Sequence, residues 1–419
     1  MRRLLLLAGT ALLIAAGPPP GKSPEAVAAA ALKAAPVWDG HNDVPEQLRE
    51  RRKNVIAGFD FRDTSNTGDP ARKVAAMQTD LLRLRKGHVG AQFWSVYVSA
   101  DLPEPQAVQA TLEQIDVTRR LAGRYPADMQ LATSAAEVEQ ALRAGRIASL
   151  IGMEGGHSIG GSLAVLRQMY ALGARYMTLT HFKNNAWADS ATDTPAHDGL
   201  TDFGRDVVRE MNRLGMLVDL SHVSEAAMVD ALEVARAPVI FSHSNARAIN
   251  SHPRNVADSV LDRLKANGGI VMVNAYPAYI TEGNRQWNIR RAAEKVRGDA
   301  VFIGNPAGAA AGLADWDRAN PAPTGGISDV ANHIDQIVRR AGIDHVGLGG
   351  DFDGIDVTVQ GMEDVSTYPT LFTELARRGY SQAHLEKIAS RNMMRVLKAA
   401  EAFAAAHRGD PPIENATMF

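Results

Sequence analysis

Two stretches of the chain repeat one device. "LVDLSH" closes on His222 and "VIFSH" on His243, twenty-one residues later, each an apolar run followed by Ser-His. The segment between them, "SEAAMVDALEVAR", reads as a helix with Ser224 as its N-cap. A histidine at the same point of two successive strand-like runs would aim both imidazoles at one object. Other apolar runs end in comparable groups. "DGHND" offers His41 and Asp43, "GMEGGH" offers Glu154, "YMTLTH" offers His181, "GGDFDG" offers Asp351 and Asp353, and "SHPRN" adds Arg254.

His41, Asp43, Glu154, His222 and His243 are the nitrogen and oxygen donors that zinc binds at about 2.0–2.2 Å. They are too many for one tetrahedral ion that keeps a position open for chemistry. They suit two ions about 3.5–4 Å apart if one carboxylate is shared. Glu154 is the natural bridge, midway in chain order between the other pairs. His88, His197, His252, His333, His384 and His407 stand in helical, loop or tail contexts, and His345 begins a strand at the opposite face. These read as structural, and His157 as a loop contact or outer partner of Glu154. Trp187 and Tyr276 are equally pocket walls or plain packing.

Such donors need a frame, and the chain supplies a repeating one. Strand-like runs cover Pro36–Asp39, Ala91–Ser99, Ile147–Met153, Tyr176–Thr180, Met216–Leu220, Pro238–Phe241, Gly269–Ala275 and His345–Gly350. Helix-like stretches such as "GSLAVLRQMYALG" and "DFGRDVVREMNRLG" lie between them. Continuous apolar strands alternating with amphipathic helices argue for a parallel sheet covered on both faces. Eight such units predict an α/β fold, a (β/α)8 TIM-type barrel whose chemistry sits where strands run into loops. No GxGxxG follows the first strand, which removes support for an open dinucleotide-binding sheet. An insertion, Tyr276–Gly325, precedes the last strand, and packing helices are expected over Tyr368–Ala405.

Lys and Arg number 45 against 47 Asp and Glu, with no long basic run, so nucleic-acid or polybasic membrane binding has no electrostatic footprint. The absence of cysteine excludes disulfides and thiolate metal sites. The opening "MRRLLLLAGTALLIAAG" has the basic start and short apolar run of a secretory signal. The expected layout is a signal peptide over residues 1–17, a linker over 18–35, one catalytic domain over 36–405 and a polar tail over 406–419. The mature chain would then be exported, without a transmembrane span.

"DGHNDVP", "GMEGGH", "YMTLTHFKNNAWADS", "LVDLSHVS", "FSHSNARAI", "HPRN" and "HVGLGGDFDG" together, in this order, resemble the membrane dipeptidase (renal dipeptidase) family of zinc peptidases. The resemblance covers about residues 37 to 400. It implies a (β/α)8 barrel with two Zn2+ per chain and small dipeptides as substrates. It further implies His41 and Asp43 on one zinc, Glu154 bridging, and His222 and His243 on the other. His181, Arg254 and Asp351 are implied as substrate-handling and catalytic groups. Vertebrate members' disulfide-linked, lipid-anchored dimer is not carried over, because cysteines and a C-terminal hydrophobic signal are lacking; a homodimer stays open.

The expected mechanism is hydrolysis by a hydroxide bridging the two ions, whose pKa the metals bring to about 7. Asp351, the aspartate closest to the strand end, would be general base and then acid. His181 would stabilise the oxyanion, and Arg254 would pair with the substrate's C-terminal carboxylate. Two other readings stay open: a barrel metallohydrolase for another amide, lactone or phosphoester, and a non-catalytic exported metal- or peptide-binding protein.

Overall fold

A run such as "IASLIGME" offers no polar alternation, so the strand it forms must be covered on both faces. The computed structural model, which describes residues 21–72 and 74–414, shows how this is done. Nine strands form: β1 Val37–Asn42, β2 Val89–Tyr97, β3 Met129–Leu131, β4 Ile147–Glu154, β5 Ala174–Thr178, β6 Leu217–Asp219, β7 Ile240–Phe241, β8 Ile270–Val273 and β9 Val346–Leu348. The ladders between them are parallel. The order β2-β1-β9-β8-β7-β6-β5-β4, with β2 also paired to β4, closes an eight-stranded barrel. The fold is therefore a (β/α)8 barrel.

β3 is additional: it pairs with Ile147–Ser149 of β4, below the stretch where β5 pairs. Its three residues were too few for a legible run. β1 extends past the expected Asp39 to Asn42, so His41 lies within the strand and not in the loop after it. Inside the barrel, Trp38, Phe93, Leu150, Tyr176, Ile270 and Met272 belong to one buried cluster. A second, larger cluster fills the layer between strands and helices. Local signals place the helices: Ser162, Thr201 and Ser224 cap three N-termini, and Gly215 ends Asp202–Leu214 in the left-handed region.

One segment differs from the sequence reading. Pro24–Ala34, within the expected linker, is a helix capped by Ser23, with Val27, Ala28, Ala31 and Leu32 buried. Its alanines favour helix, and its i, i+4 apolar spacing gives it a face to bury against Tyr368–Arg377 and Gln382–Glu386. The insertion before β9 is ordered: helices Glu282–Val301 and Pro306–Ala319 pack together through Trp287 on Trp316 and a two-bond Arg291–Asp317 pair. The C-terminal packing helices are Tyr368–Arg377, Gln382–Glu386 and Asn392–Ala406. The proposed signal peptide lies outside the described residues, among which no helix is long and apolar enough to cross a membrane.

Candidate metal centre and active-site pocket

Each donor chosen from the sequence arrives at the same end of the barrel. His41 comes from within β1, and Asp43 stands at the N-cap position of the helix that follows it, its side chain left free of any capping bond. Glu154 is the last residue of β4. His181, His222 and His243 lie two or three residues beyond β5, β6 and β7, and Asp351 three beyond β9. His222, Asp351 and Asp353 have φ of 67°, 64° and 67°, a conformation that costs non-glycine residues energy and that clusters at functional sites.

Glu154 is the centre of the cluster. Its Oε2 is 3.3 Å from His41 Nε2; its Oε1 is 3.2 Å from His222 Nε2 and 3.3 Å from His243 Nε2. Asp43 Oδ2 reaches the same His41 nitrogen at 3.3 Å, and Asp351 Oδ1 stands 4.0 Å from it. Three sets of donor atoms lie within 4.8 Å of one another: His41 with Asp43 and Glu154, Glu154 with His222 and His243, and His41 with His243 and Asp351. The first two share Glu154, the carboxylate expected to bridge.

Charge in this cluster is unbalanced. Burial alone would raise the Glu154 carboxyl, but the imidazoles of His41, His222 and His243 outweigh it and hold its pKa well below the usual range. Burial opposes charge on His41, yet Tyr176, Asp43 and Glu154 drive its pKa well up. The carboxylates thus recruit a proton, the smallest available cation. Burial, with Arg254 adding to it, keeps His222 well below its usual value and therefore neutral. His243 is kept neutral by burial, His41 and Arg254. Neutral imidazoles and ionised carboxylates are the protonation states that metal binding requires. His41 Nε2 and Asp43 Oδ1 are buried without a hydrogen-bond partner. The donor set and these orphaned atoms fit divalent cations.

Outer partners orient the rings. His41 Nδ1 is 2.8 Å from the Tyr176 hydroxyl. His243 Nδ1 is 2.7 Å from Ser242 Oγ, which donates to Asp219 Oδ2 at 2.6 Å. The serines of the two Ser-His devices are also structural ties, since Ser221 Oγ accepts the His243 backbone N–H at 3.1 Å.

A cavity of about 280 Å3 opens over the cluster, lined by Asp43, Glu154, His222 and His243 and by His181, Arg254, Asp351, Tyr276 and others, with His41 buried beneath them. Burial, reinforced by Asp43, pushes the Asp351 carboxyl up to about 8, while His41 and Arg254 pull the other way. Burial holds His181 down at about 4, so it is a neutral donor or acceptor; its Nε2 is 3.8 Å from Glu154 Oε1. Arg254 is fully buried. Its Nη1 donates to the His243 carbonyl at 2.8 Å, and its guanidinium stacks 4.5 Å from the Tyr279 ring. Nη2 lies 2.8 Å from His222 Nε2, a candidate metal donor, so a cation there and this contact exclude one another.

The remaining sequence candidates separate cleanly. Asp353 turns away, accepting the Gln78 N–H at 2.8 Å. His157 meets the Ser99 carbonyl, His345 the Gly269 carbonyl at the far end of the barrel, and Trp187 is buried packing. Tyr276 does line the pocket. Sequence reasoning missed Glu46, Tyr97, Phe182 and Tyr279 in the lining, and His252, whose Nδ1 accepts the Arg254 backbone N–H at 3.2 Å. Glu46 follows Asp43 by three residues on the same helix, which could have flagged it; Tyr279 lies inside the insertion and carried no signal.

A closed parallel barrel with a His/Asp/Glu cluster at the C-terminal ends of its strands defines a metal-dependent hydrolase. The family model described as membrane dipeptidase (peptidase family M19) matches residues 25–410. Dipeptidase tcpJ of Claviceps purpurea is 41% identical over 384 residues, covering 90% of this chain and 79% of that protein. The probable dipeptidase PvdM from Pseudomonas aeruginosa superimposes with a TM-score of 0.77 at 24% identity, over 91% of this chain and 99% of that one. The dipeptidase AC structure, a metallo peptidase of the same family, gives 0.69 at 25% identity over 87% and 98%. The chain belongs to the membrane dipeptidase family, whose members are metallo-dipeptidases.

Proposed function

We propose that the protein is an exported zinc dipeptidase with two ions per chain, held by His41 and Asp43 on one side, His222 and His243 on the other, and Glu154 between. The observation that carries this reading is the convergence of two donor sets on one carboxylate, in a pocket whose wall holds Arg254. When bound, the zinc pair supplies Lewis acidity to a carbonyl oxygen and to a water.

The chain's own residues do the rest. Asp351 takes the proton from the attacking water and returns it to the leaving amine, a task for which a pKa of about 8 is well placed. His181, neutral and buried, donates a hydrogen bond to the carbonyl oxygen as it becomes negative, worth roughly 3–4 kcal/mol in comparable sites. Arg254 holds the substrate's C-terminal carboxylate, with Nη1 fixed by the His243 carbonyl and Nη2 exchanging His222 for the ligand. A pocket of about 280 Å3 closed by such a clamp suits two residues and not a protein chain. Export rests on the apolar run following Arg2 and Arg3.

The test is hydrolysis of a dipeptide library by metal-quantified protein, beside Asp351→Asn. The variant should lose turnover while retaining about two ions per chain. Undiminished turnover removes Asp351 from the mechanism, and hydrolysis of no dipeptide by the parent removes the reading itself.

A further inference from the structure

The pocket has two electrically different ends. Arg254 stands in the loop after β7, and Tyr97 ends β2, four strands away around an eight-stranded ring. Beside Tyr97, Glu46 lines the wall from the first turn of the helix Val44–Arg52. Among the described residues, no cation and no hydrogen-bond donor pairs with the Glu46 carboxyl; burial first, then the charges of Asp43, Glu154, Glu50 and Asp351, push its pKa up to about 9. A largely buried carboxyl among other carboxylates, facing a cavity, is a group whose partner must come from the ligand.

The position of Glu46 says which part of the ligand. The α-ammonium of a dipeptide is two bonds from the carbon under attack, so a productive pose keeps it among Asp43, Glu154 and Asp351. Glu46 belongs to none of the donor sets within 4.8 Å there. It meets atoms further out along the N-terminal residue, which are side-chain atoms. The Tyr97 ring beside it offers an apolar face for an aliphatic stem, with the charge carried beyond.

We propose that Glu46 selects dipeptides whose N-terminal residue carries a cationic side chain of the lysine, ornithine or arginine type. This rests on the dipeptidase reading and adds the substrate class. An uncharged side chain of equal length fills the same space but leaves the carboxyl unpaired, the kind of asymmetry by which polar sites reject analogues.

The experiment compares kcat/KM for Lys-Ala and 2-aminoheptanoyl-Ala, whose pentyl side chain matches lysine in length, in the metal-loaded parent and in Glu46→Gln. Binding of the corresponding non-hydrolysable reduced-amide analogues, measured by calorimetry, is the second readout. The parent should favour the lysyl compound about tenfold in both measurements, and Glu46→Gln should bring both ratios close to one. Ratios are taken within each protein, so altered metal loading cancels; if the variant does not turn over, its analogue-binding ratio decides. A parent ratio near one, or a preference that survives in Glu46→Gln, overturns the assignment while leaving the dipeptidase reading intact. A parent that cleaves neither dipeptide nor any other fails the dipeptidase reading, and the assignment falls with it.

Discussion

His243 Nδ1 lies 2.7 Å from the hydroxyl of Ser242, the residue immediately before it. That hydroxyl has one proton, and it is committed to Asp219. Ser242 must therefore accept from the imidazole, which fixes the ring proton on Nδ1 and leaves the Nε2 lone pair facing Glu154. Such partners typically tune metal affinity 10- to 100-fold. Ser242→Ala should keep the fold and weaken metal binding by about that range, read by competition with a chelator; equal affinity would show that the tautomer needs no such support.

Arg254 is expected to act on binding more than on turnover. Arg254→Ala should lower kcat/KM for dipeptides by roughly 30-fold or more, mainly through KM, since truncating one side of a buried charge pair costs about 2–5 kcal/mol. Because Arg254 also touches His222, metal content must be measured alongside. Amidating the dipeptide's C-terminus should cost the parent enzyme a comparable factor. Equal cleavage of free and amidated forms would contradict the clamp.

Gly354 makes a sharper steric test. A Cβ there would sit 2.2 Å from Asp43 Oδ2 and 2.9 Å from Asp351 Oδ1. The residue itself is exposed, so alanine should leave stability within about 1 kcal/mol. The two carboxylates must shift, however, and Gly354→Ala should reduce activity at least about tenfold while thermal unfolding changes little. Full activity would mean that these oxygens are not held in a fixed geometry.

Acid sensitivity is expected from a histidine far from the chemistry. Buried His333 accepts the Ala246 N–H through Nδ1 and donates to the Ile280 carbonyl through Nε2. Burial lowers its pKa to about 4, below the usual 6.5. Between these values the unfolded chain binds the extra proton, so stability rises with pH there and falls as the solution is acidified. The contribution lost by pH 4 is about 3 kcal/mol. Urea titrations at pH 7 and 5 should show a smaller pH-dependent loss in His333→Gln than in the parent, although the variant is less stable at pH 7. Equal losses would assign the acid sensitivity elsewhere.

The barrel and the candidate metal donors were legible for a physical reason: both depend on residue type at the ends of continuous apolar runs. His222 and His243 announce themselves because Ser-His recurs after two buried strands. Glu46 and Tyr279 do not, since a glutamate on a helix and a tyrosine in an insertion have ordinary explanations until the fold brings them to the pocket. Pro24–Ala34 was obscured by its alanines, which suit a linker as well as a helix; only a partner surface on Tyr368–Arg377 reveals its buried face. β3, three residues long, is defined by its pairing with β4 more than by its own composition.

The seam between β1 and β9 joins the two ends of the chain. Asp39 pairs with Leu348 and accepts the Gly350 N–H, Asp351 N donates to the His41 carbonyl, and Asp43 N to that of Phe352. Residues made about 310 positions apart must meet there before either side of the centre is complete. A nascent or partly threaded chain thus has His41 and Asp43 but no Asp351 beside them. With the roles proposed above for Asp351 and the donors, peptide cleavage requires the last strand to dock, and only the finished barrel is expected to be active.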